Sequence, residues 1–237
     1  MTITLYPETE RGTANHGWLQ AKYSFSFGGW HNPALMHFGA LRVLNDDIVL
    51  GGGGFPTHAH ANMEIITIPL QGALQHKDST GGEGIINHND VQIMSAGTGV
   101  EHSEFNASAT DSVNLLQLWI FPKEKNITPR YDQKTFDTAN RQNSWQTIVS
   151  PTASDATLWI NQTATLSIAT LTANNSLHYN NHTTGNGMYL FVINGSINVA
   201  GNKLTKRYAI GITNTETIEI TATENSELLM VEVPMLW

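Results

Sequence analysis

The chain contains no cysteine. Disulfides, zinc–thiolate sites and thiol chemistry are thereby excluded, and the compartment is left open. Charge is also scarce: 14% of the 237 residues are Asp, Glu, Lys or Arg, against roughly 25% in an ordinary soluble domain. The charge present runs negative, −8 in formal terms, and no stretch gathers five or more Lys and Arg. Neutralising phosphates takes such clusters. Direct contact with DNA or RNA is therefore not expected, nor is attraction to an anionic membrane surface. No apolar run reaches the roughly 18 residues of a membrane span. The opening Met1-Thr-Ile-Thr-Leu-Tyr-Pro-Glu8 lacks the basic and apolar regions of a signal peptide. Asn-x-Ser/Thr triplets such as Asn106-Ala-Ser108 then read as chance in an Asn- and Thr-rich chain. The expected location is the cytoplasm.

What remains is a chain that is 40% hydrophobic, enough for a core. Its length suits one large β domain or two domains of about 100–150 residues. Short apolar runs separated by turn residues dominate it. Tyr23-Ser-Phe-Ser-Phe27 alternates aromatic and small polar residues, the period of a strand. The mixed segment 35–44 leads to Asn45-Asp-Asp47, which reads as a turn. Gly51 to Gly54 are four consecutive glycines. They lack the Gly-Lys-Ser/Thr ending of a phosphate loop, and so predict a sharp turn or a close backbone approach. Segments 63–70, 73–77, 85–88, 91–94 and 113–121 are rich in β-branched or apolar residues. Residues 122–150 turn polar and are punctuated by Pro122, Pro129 and Pro151. They predict an interdomain connection with a short helix around 138–142. Strand patterns resume from 157 to 233. Ile68-Pro-Leu-Gln-Gly-Ala-Leu and Phe191-Val-Ile-Asn-Gly-Ser-Ile echo each other at an offset of 123 residues. The expectation is an all-β chain with few short helices: two related barrels, residues 1–134 and 135–237.

The chemistry concentrates in two packets. In Phe55-Pro-Thr-His-Ala-His-Ala-Asn-Met-Glu64, His58 and His60 stand two residues apart, so an extended strand aims both at one face. Glu64 joins them if the strand runs on unbroken. In Gly97-Thr-Gly-Val-Glu-His-Ser-Glu104, His102 and Glu104 form a second such pair. Two pairs on neighbouring strands can enclose one ion. Imidazole nitrogens with a carboxylate suit iron, nickel, copper, zinc, manganese or cobalt. Such a site also leaves positions open for water or substrate. His16, His31, His37, His76, His88, His178 and His182 are scattered and read as satisfied or solvated imidazoles. At the 123-residue offset His58 falls on Asn181 and His60 on Thr183, so the second half is not expected to repeat the site.

These packets resemble the two cupin motifs. Gly52, His58, His60 and Glu64 fit the first, with Gly72 one residue late. Gly99, His102 and Asn106 fit the second, with Gly97 where proline is usual. The match is nearer to the pirin family. The shared stretches are Ser24-Phe25, Gly39-Ala-Leu-Arg-Val-Leu-Asn-Asp46, Gly54 to Glu64, Asp90 to Gly97, and His102-Ser-Glu104. Ala59 departs from the usual His-Pro-His but removes no donor atom. The resemblance is strong over 24–121 and architectural beyond about 150. It implies two jelly-roll-like cupin barrels in tandem, with a metal site in the first only.

The resemblance also implies a ligand set of His58, His60, His102 and Glu104, usually around Fe(II). Glu64 then becomes a supporting residue or an alternative ligand. Bacterial pirin-like proteins resemble quercetin 2,3-dioxygenases, which open a flavonol ring with O₂ and release carbon monoxide. On that reading the partners are a small aromatic substrate and O₂, Glu104 is the catalytic base, and Phe55, Met63 and Phe105 form an apolar mouth. The alternative reading is a non-enzymatic, iron-binding, redox-sensitive regulator acting through protein partners. Another small-molecule activity on the same fold is a third.

Overall fold

The computed structural model describes residues 1–236. The described residues form strands joined by turns, with two short 3₁₀ helices, Glu8–Glu10 and Thr138–Arg141. No helix among them is long and apolar enough to cross a membrane. The strands make two seven-stranded and two four-stranded sheets. Each large sheet faces one small sheet and closes a barrel with it. In the first barrel Leu19, Val49, Val113 and Leu115 of the large sheet pack against Leu74 and Ile86 of the small one.

The central strands of the large sheets are buried on both faces. Glu64–Gln71 and Ser226–Val233 are covered almost throughout, which explains their near-continuous apolar runs. One face of each lines its own barrel. The other faces join in a single inter-barrel core that includes Ile66, Ile68, Leu116 and Leu118 from the first barrel and Tyr189, Phe191, Leu229 and Val231 from the second. Each such side chain contributes on the order of 1.5–3 kcal/mol by leaving water.

The internal echo is a repeated hairpin. Glu64–Gln71 turns through Gly72 into Ala73–Asp78, and Gly187–Asn194 turns through Gly195 into Ser196–Val199. Both glycines hold positive φ, +76° and +86°, where a side chain would be strained. Strand order in the two small sheets also corresponds.

Three local expectations change. Asn45-Asp-Asp47 is not a turn: it lies inside the strand Leu41–Val49. Polar residues mid-strand mimic turn composition, but here Asn45 and Asp47 face the barrel interior and Asp46 pairs with Arg11 and Arg207 on the other face. The polar segment 122–150 is more than a linker. Arg130–Thr135 extends the first large sheet beside Asp90–Ser95, and Gln146–Ser150 pairs with Thr165–Leu171 in the second. The short helix is present as the 3₁₀ turn Thr138–Arg141, capped by the Asp137 side chain accepting from the Ala139 N–H. Finally, Thr2–Tyr6 leaves the first half and forms an edge of the second barrel's large sheet, paired with Ala209–Thr213. Tyr6 anchors it there, its ring 5.1 Å from Tyr189 and 5.9 Å from Phe25. This first strand thus pairs with a strand from the second half of the chain.

Candidate metal centre

Three adjacent strands of the first small sheet build the site. Gly54–His60 pairs with Val100–Asn106, setting His58 opposite His102. Ala73–Asp78 pairs with the other edge of Val100–Asn106, setting His76 opposite Glu104. Along Val100–Asn106, Val100, His102, Glu104 and Asn106 are buried while Glu101 and Phe105 are exposed, the two-residue alternation of a strand. Gly54 lets the histidine strand come close. A side chain there would run into the Phe105 ring and the Glu104 carbonyl.

The side chains converge. One nitrogen from each of His58, His60 and His102 lies within 4.8 Å of the others, and the same limit joins His76, His102 and Glu104. The His58 and His102 rings are 4.4 Å apart, and His60 stands 4.9 Å from His58 and 5.0 Å from His102. His58 Nδ1–H donates to the Pro56 carbonyl at 2.8 Å, which fixes the tautomer and leaves Nε2 with a free lone pair. His102 is 1% exposed, yet neither ring nitrogen has a hydrogen-bond partner. Leaving such groups unpaired costs about 1–3 kcal/mol each. A metal ion that accepts the lone pair of one His102 nitrogen removes the cost at that atom, so the donor set fits a divalent ion. Burial, then the charge of His58, pulls the His60 pKa down to about 4. Burial, followed by the neighbouring histidines, pulls His102 down to about 3. Both rings are thus held neutral, the form that ligates.

Glu104 is 2% exposed. Thr67 Oγ1 donates to its Oε1 at 3.2 Å and Gln117 Nε2 to its Oε2 at 2.7 Å. Trp119 Nε1 donates in turn to Gln117 Oε1 at 3.2 Å. Burial raises the Glu104 pKa, against the lowering effects of His76, Gln117, His58 and Thr67. His76 is wholly buried, and its Nε2–H donates to Asp78 Oδ2 at 2.9 Å. Burial alone would push the Asp78 pKa up, but donation from Thr80, His76 and Gly82 holds it down. His76, read from sequence as a bland imidazole, belongs to this cluster. Its partner is 28 residues away, so only strand register reveals it.

Glu64 stands elsewhere. The histidine strand breaks after His60, and Asn62 turns with φ of 52° before the next strand begins at Glu64. The Glu64 carboxylate, 1% exposed, accepts from Ser95 Oγ at 2.8 Å and from the Asn161 N–H at 3.1 Å, both on Oε2. It ties the two barrels together and lies in neither metal-capable group.

A cavity of about 320 Å³ opens beside the cluster, near the lower end of the usual range for small-molecule sites. His58, His60 and Glu104 form part of its wall, with Tyr23, Phe27, Phe55 and Trp119. Trp119 stands edge-on to His60 at 4.8 Å and to Phe27 at 5.2 Å. Of the expected mouth residues, Phe55 lines the cavity. Phe105 faces outward at 40% exposure because Glu104 faces in. Met63 packs instead with Ile65, Met94 and Val100. Asn45 and Asp47 also line the cavity. Burial, then Asp46 and Glu104, pushes the Asp47 pKa up to about 8.

The second barrel fills the matching positions with other chemistry. Val199 stands where His76 does, 123 residues on, and its cross-strand partner is Ile220, matching Glu104. Two residues earlier Ile218 matches His102, and its partner Tyr179 matches His58. Register therefore corrects the simple offset, which put Asn181 at that place. Val199, Ile218, Ile220 and Tyr179 all belong to an apolar interior. The Tyr179 hydroxyl donates to the buried Glu232, which also accepts from the His182 and Thr183 N–H groups and from Asn186 Nδ2.

Two tandem barrels, one opening onto a His/Glu cluster and the other packed with apolar side chains, define a two-domain cupin with a metal-capable centre. Residues 6–120 match the family described as pirin, and residues 147–233 match the quercetinase C-terminal cupin domain. The chain belongs to the pirin family. The quercetin 2,3-dioxygenase of Escherichia coli strain K12 is 40% identical over 233 residues, 98% of this chain and 99% of the relative. A pirin-like protein of Caulobacter vibrioides is 39% identical over 227 residues, 95% of this chain and 97% of the relative. Among solved structures, YhhW from Escherichia coli superposes with a TM-score of 0.94 at 38% identity, covering 98% of each chain. Bacterial pirin YhhW in complex with nickel(II) superposes at 0.92 and 37% identity, covering 98% of this chain and 99% of that one.

Proposed function

We propose that this protein is a metal-dependent dioxygenase that cleaves quercetin or a related flavonol-like aromatic with O₂. The observation that carries the reading is the convergence of three imidazoles and a buried carboxylate beside an aromatic-lined cavity. The names of the relatives support the same activity. His58, His60, His102 and Glu104 are the proposed ligands, and Fe(II) is the proposed ion; nickel(II) is the ion in the named relative's structure. A bound divalent ion supplies Lewis acidity and a one-electron path that lets a closed-shell aromatic react with O₂.

The chain's own residues do the rest. Glu104 takes the proton of the flavonol 3-hydroxyl. Its burial makes it a stronger base than a solvated glutamate. Thr67 and Gln117 hold its two oxygens in place, and Trp119 fixes Gln117. Phe27, Phe55 and Trp119 give a flat ring apolar walls and keep water from the reacting end. The substrate carbon skeleton takes up both oxygen atoms and loses one carbon as carbon monoxide. The proposed setting is the cytoplasm.

The test is to purify the protein, quantify bound metals, and follow quercetin loss, O₂ uptake and carbon monoxide release for wild type and His58→Ala. Turnover that needs metal and disappears in the variant supports the reading. Absence of turnover with every reconstituted first-row metal refutes it.

A further inference from the structure

The first barrel buries a carboxyl that the proposed chemistry leaves unused. Asp47 lies mid-strand in Leu41–Val49 and is 4% exposed. Its cross-strand neighbours, Ala21 and Leu115, offer no side-chain donor. Its Oδ1 has no hydrogen-bond partner, and neither has Oδ1 of Asn45, two residues earlier on the same face and 2% exposed. The nearby guanidinium groups do not serve it. Arg207 Nε at 2.8 Å and Arg11 Nη1 at 3.7 Å both pair with Asp46, which points to the opposite face of the strand. A buried acceptor without a donor is costly, and native structures keep few of them.

Both side chains line the same cavity as His58, His60 and Glu104. They come from the other wall, however. Asn45 and Asp47 belong to the seven-stranded sheet, and the histidines and Glu104 to the four-stranded sheet. A ligand seated between the walls therefore meets metal-capable residues on one side and unsatisfied acceptors on the other. The aromatic walls between them suit a planar ring. Asn45 is the cross-strand neighbour of Gln117, whose amide holds Glu104, so the two acceptors call for a second O–H or N–H on the large-sheet side of the ring.

We propose that Asp47 and Asn45 form a recognition site, on the wall opposite the histidines, for a second hydroxyl of a polyhydroxylated aromatic substrate. This rests on the aromatic-substrate reading above and adds to it a preference within that class. Such a site discriminates strongly, because a ligand lacking the hydroxyl leaves buried acceptors unpaired.

The test compares 3-hydroxyflavone, which carries only the hydroxyl directed to the metal side, with quercetin, which carries further hydroxyls on both rings. Dissociation constants are measured by tryptophan fluorescence quenching for metal-loaded wild type, Asp47→Asn and Asp47→Leu, with metal content checked in each. Asp47→Leu is expected to weaken quercetin about tenfold, the worth of one hydrogen bond to a buried acceptor, and to leave 3-hydroxyflavone within about twofold. Asp47→Asn keeps the shape and one acceptor oxygen, so its loss for quercetin is expected to be smaller. Equal weakening of both ligands in both variants, or unchanged quercetin binding in Asp47→Leu, overturns this recognition site while leaving the proposed activity intact. A metal-loaded wild type that binds neither flavonol removes the aromatic reading and this proposal with it.

Discussion

Two buried glutamates follow the histidine motifs, and exchanging each for glutamine separates their roles. Glu104 and Glu64 are equally deep, 2% and 1% exposed, so burial does not distinguish them. Their partners do. Glu104 receives one donor on each oxygen, Thr67 on Oε1 and Gln117 on Oε2. In Glu104→Gln the amide NH₂ must face one of those donors, which costs about 1 kcal/mol of stability even after the Thr67 hydroxyl rotates. The variant also loses an anionic oxygen beside His102. Removing a supporting partner of a metal ligand typically costs 10–100-fold in affinity. Loss of the ligand itself is expected to cost about 100-fold or more. Glu64 receives both of its donors, Ser95 and Asn161, on the single oxygen Oε2. An amide oxygen in that place keeps both, and the neutral amide escapes the burial that raises the Glu64 pKa. Glu64→Gln is expected to change stability by less than about 1 kcal/mol and metal affinity not at all. Elemental analysis, competition with a chromophoric chelator and thermal melts in chelator read out both arms. Metal lost from Glu64→Gln and kept by Glu104→Gln would refute the reasoning.

Other outcomes follow from the same geometry. Nitrogen-15 NMR of metal-free protein should find His60 titrating near 4 and His102 near 3, so both remain neutral at pH 5 where a solvated imidazole is charged. A depressed histidine pKa gives stability that is complete above about pH 6.5 and is lost as pH falls toward the folded value. Glu104 and Asp47, whose pKa values are raised, act in the opposite sense, so each group must be followed by its own resonance rather than through the melting temperature. Titration of both rings near 6.5 would contradict the buried cluster. Saturating metal at about one hundred times its dissociation constant should add ~2.7 kcal/mol to wild type and far less to His58→Ala, measured by denaturant unfolding. Deleting residues 1–6 removes the edge strand and the Tyr6 contacts with Phe25 and Tyr189. It should cost about 3–5 kcal/mol while leaving metal content unchanged; a metal-depleted but equally stable deletion would argue against this placement.

The part of the site legible in sequence was the part written in local spacing. His58 with His60, and His102 with Glu104, sit at i and i+2, and the strand period turns that spacing into a shared direction. Glu64 failed the same test because a turn at Asn62, which its spacing does not reveal, ends the strand. His76 reaches the site across the sheet and Trp119 from the facing sheet, both from strands whose register no short motif encodes. Asn45 and Asp47 were concealed by composition: polar residues are rare inside strands, and a barrel that encloses a polar site is where they occur. The Thr2–Tyr6 crossover was illegible for a related reason. Its strand pairs through backbone groups with a partner more than two hundred residues away, and its side chains are mostly exposed.

The central claim is that one metal ion sits among His58, His60, His102 and Glu104. Anomalous diffraction from crystals of the metal-loaded protein, collected across the absorption edge of the bound metal, tests it most directly. One strong peak is expected within roughly 2.0–2.3 Å of a nitrogen of each of the three histidines and an oxygen of Glu104. A peak held instead by Glu64, or at His76 away from His58 and His60, would contradict it.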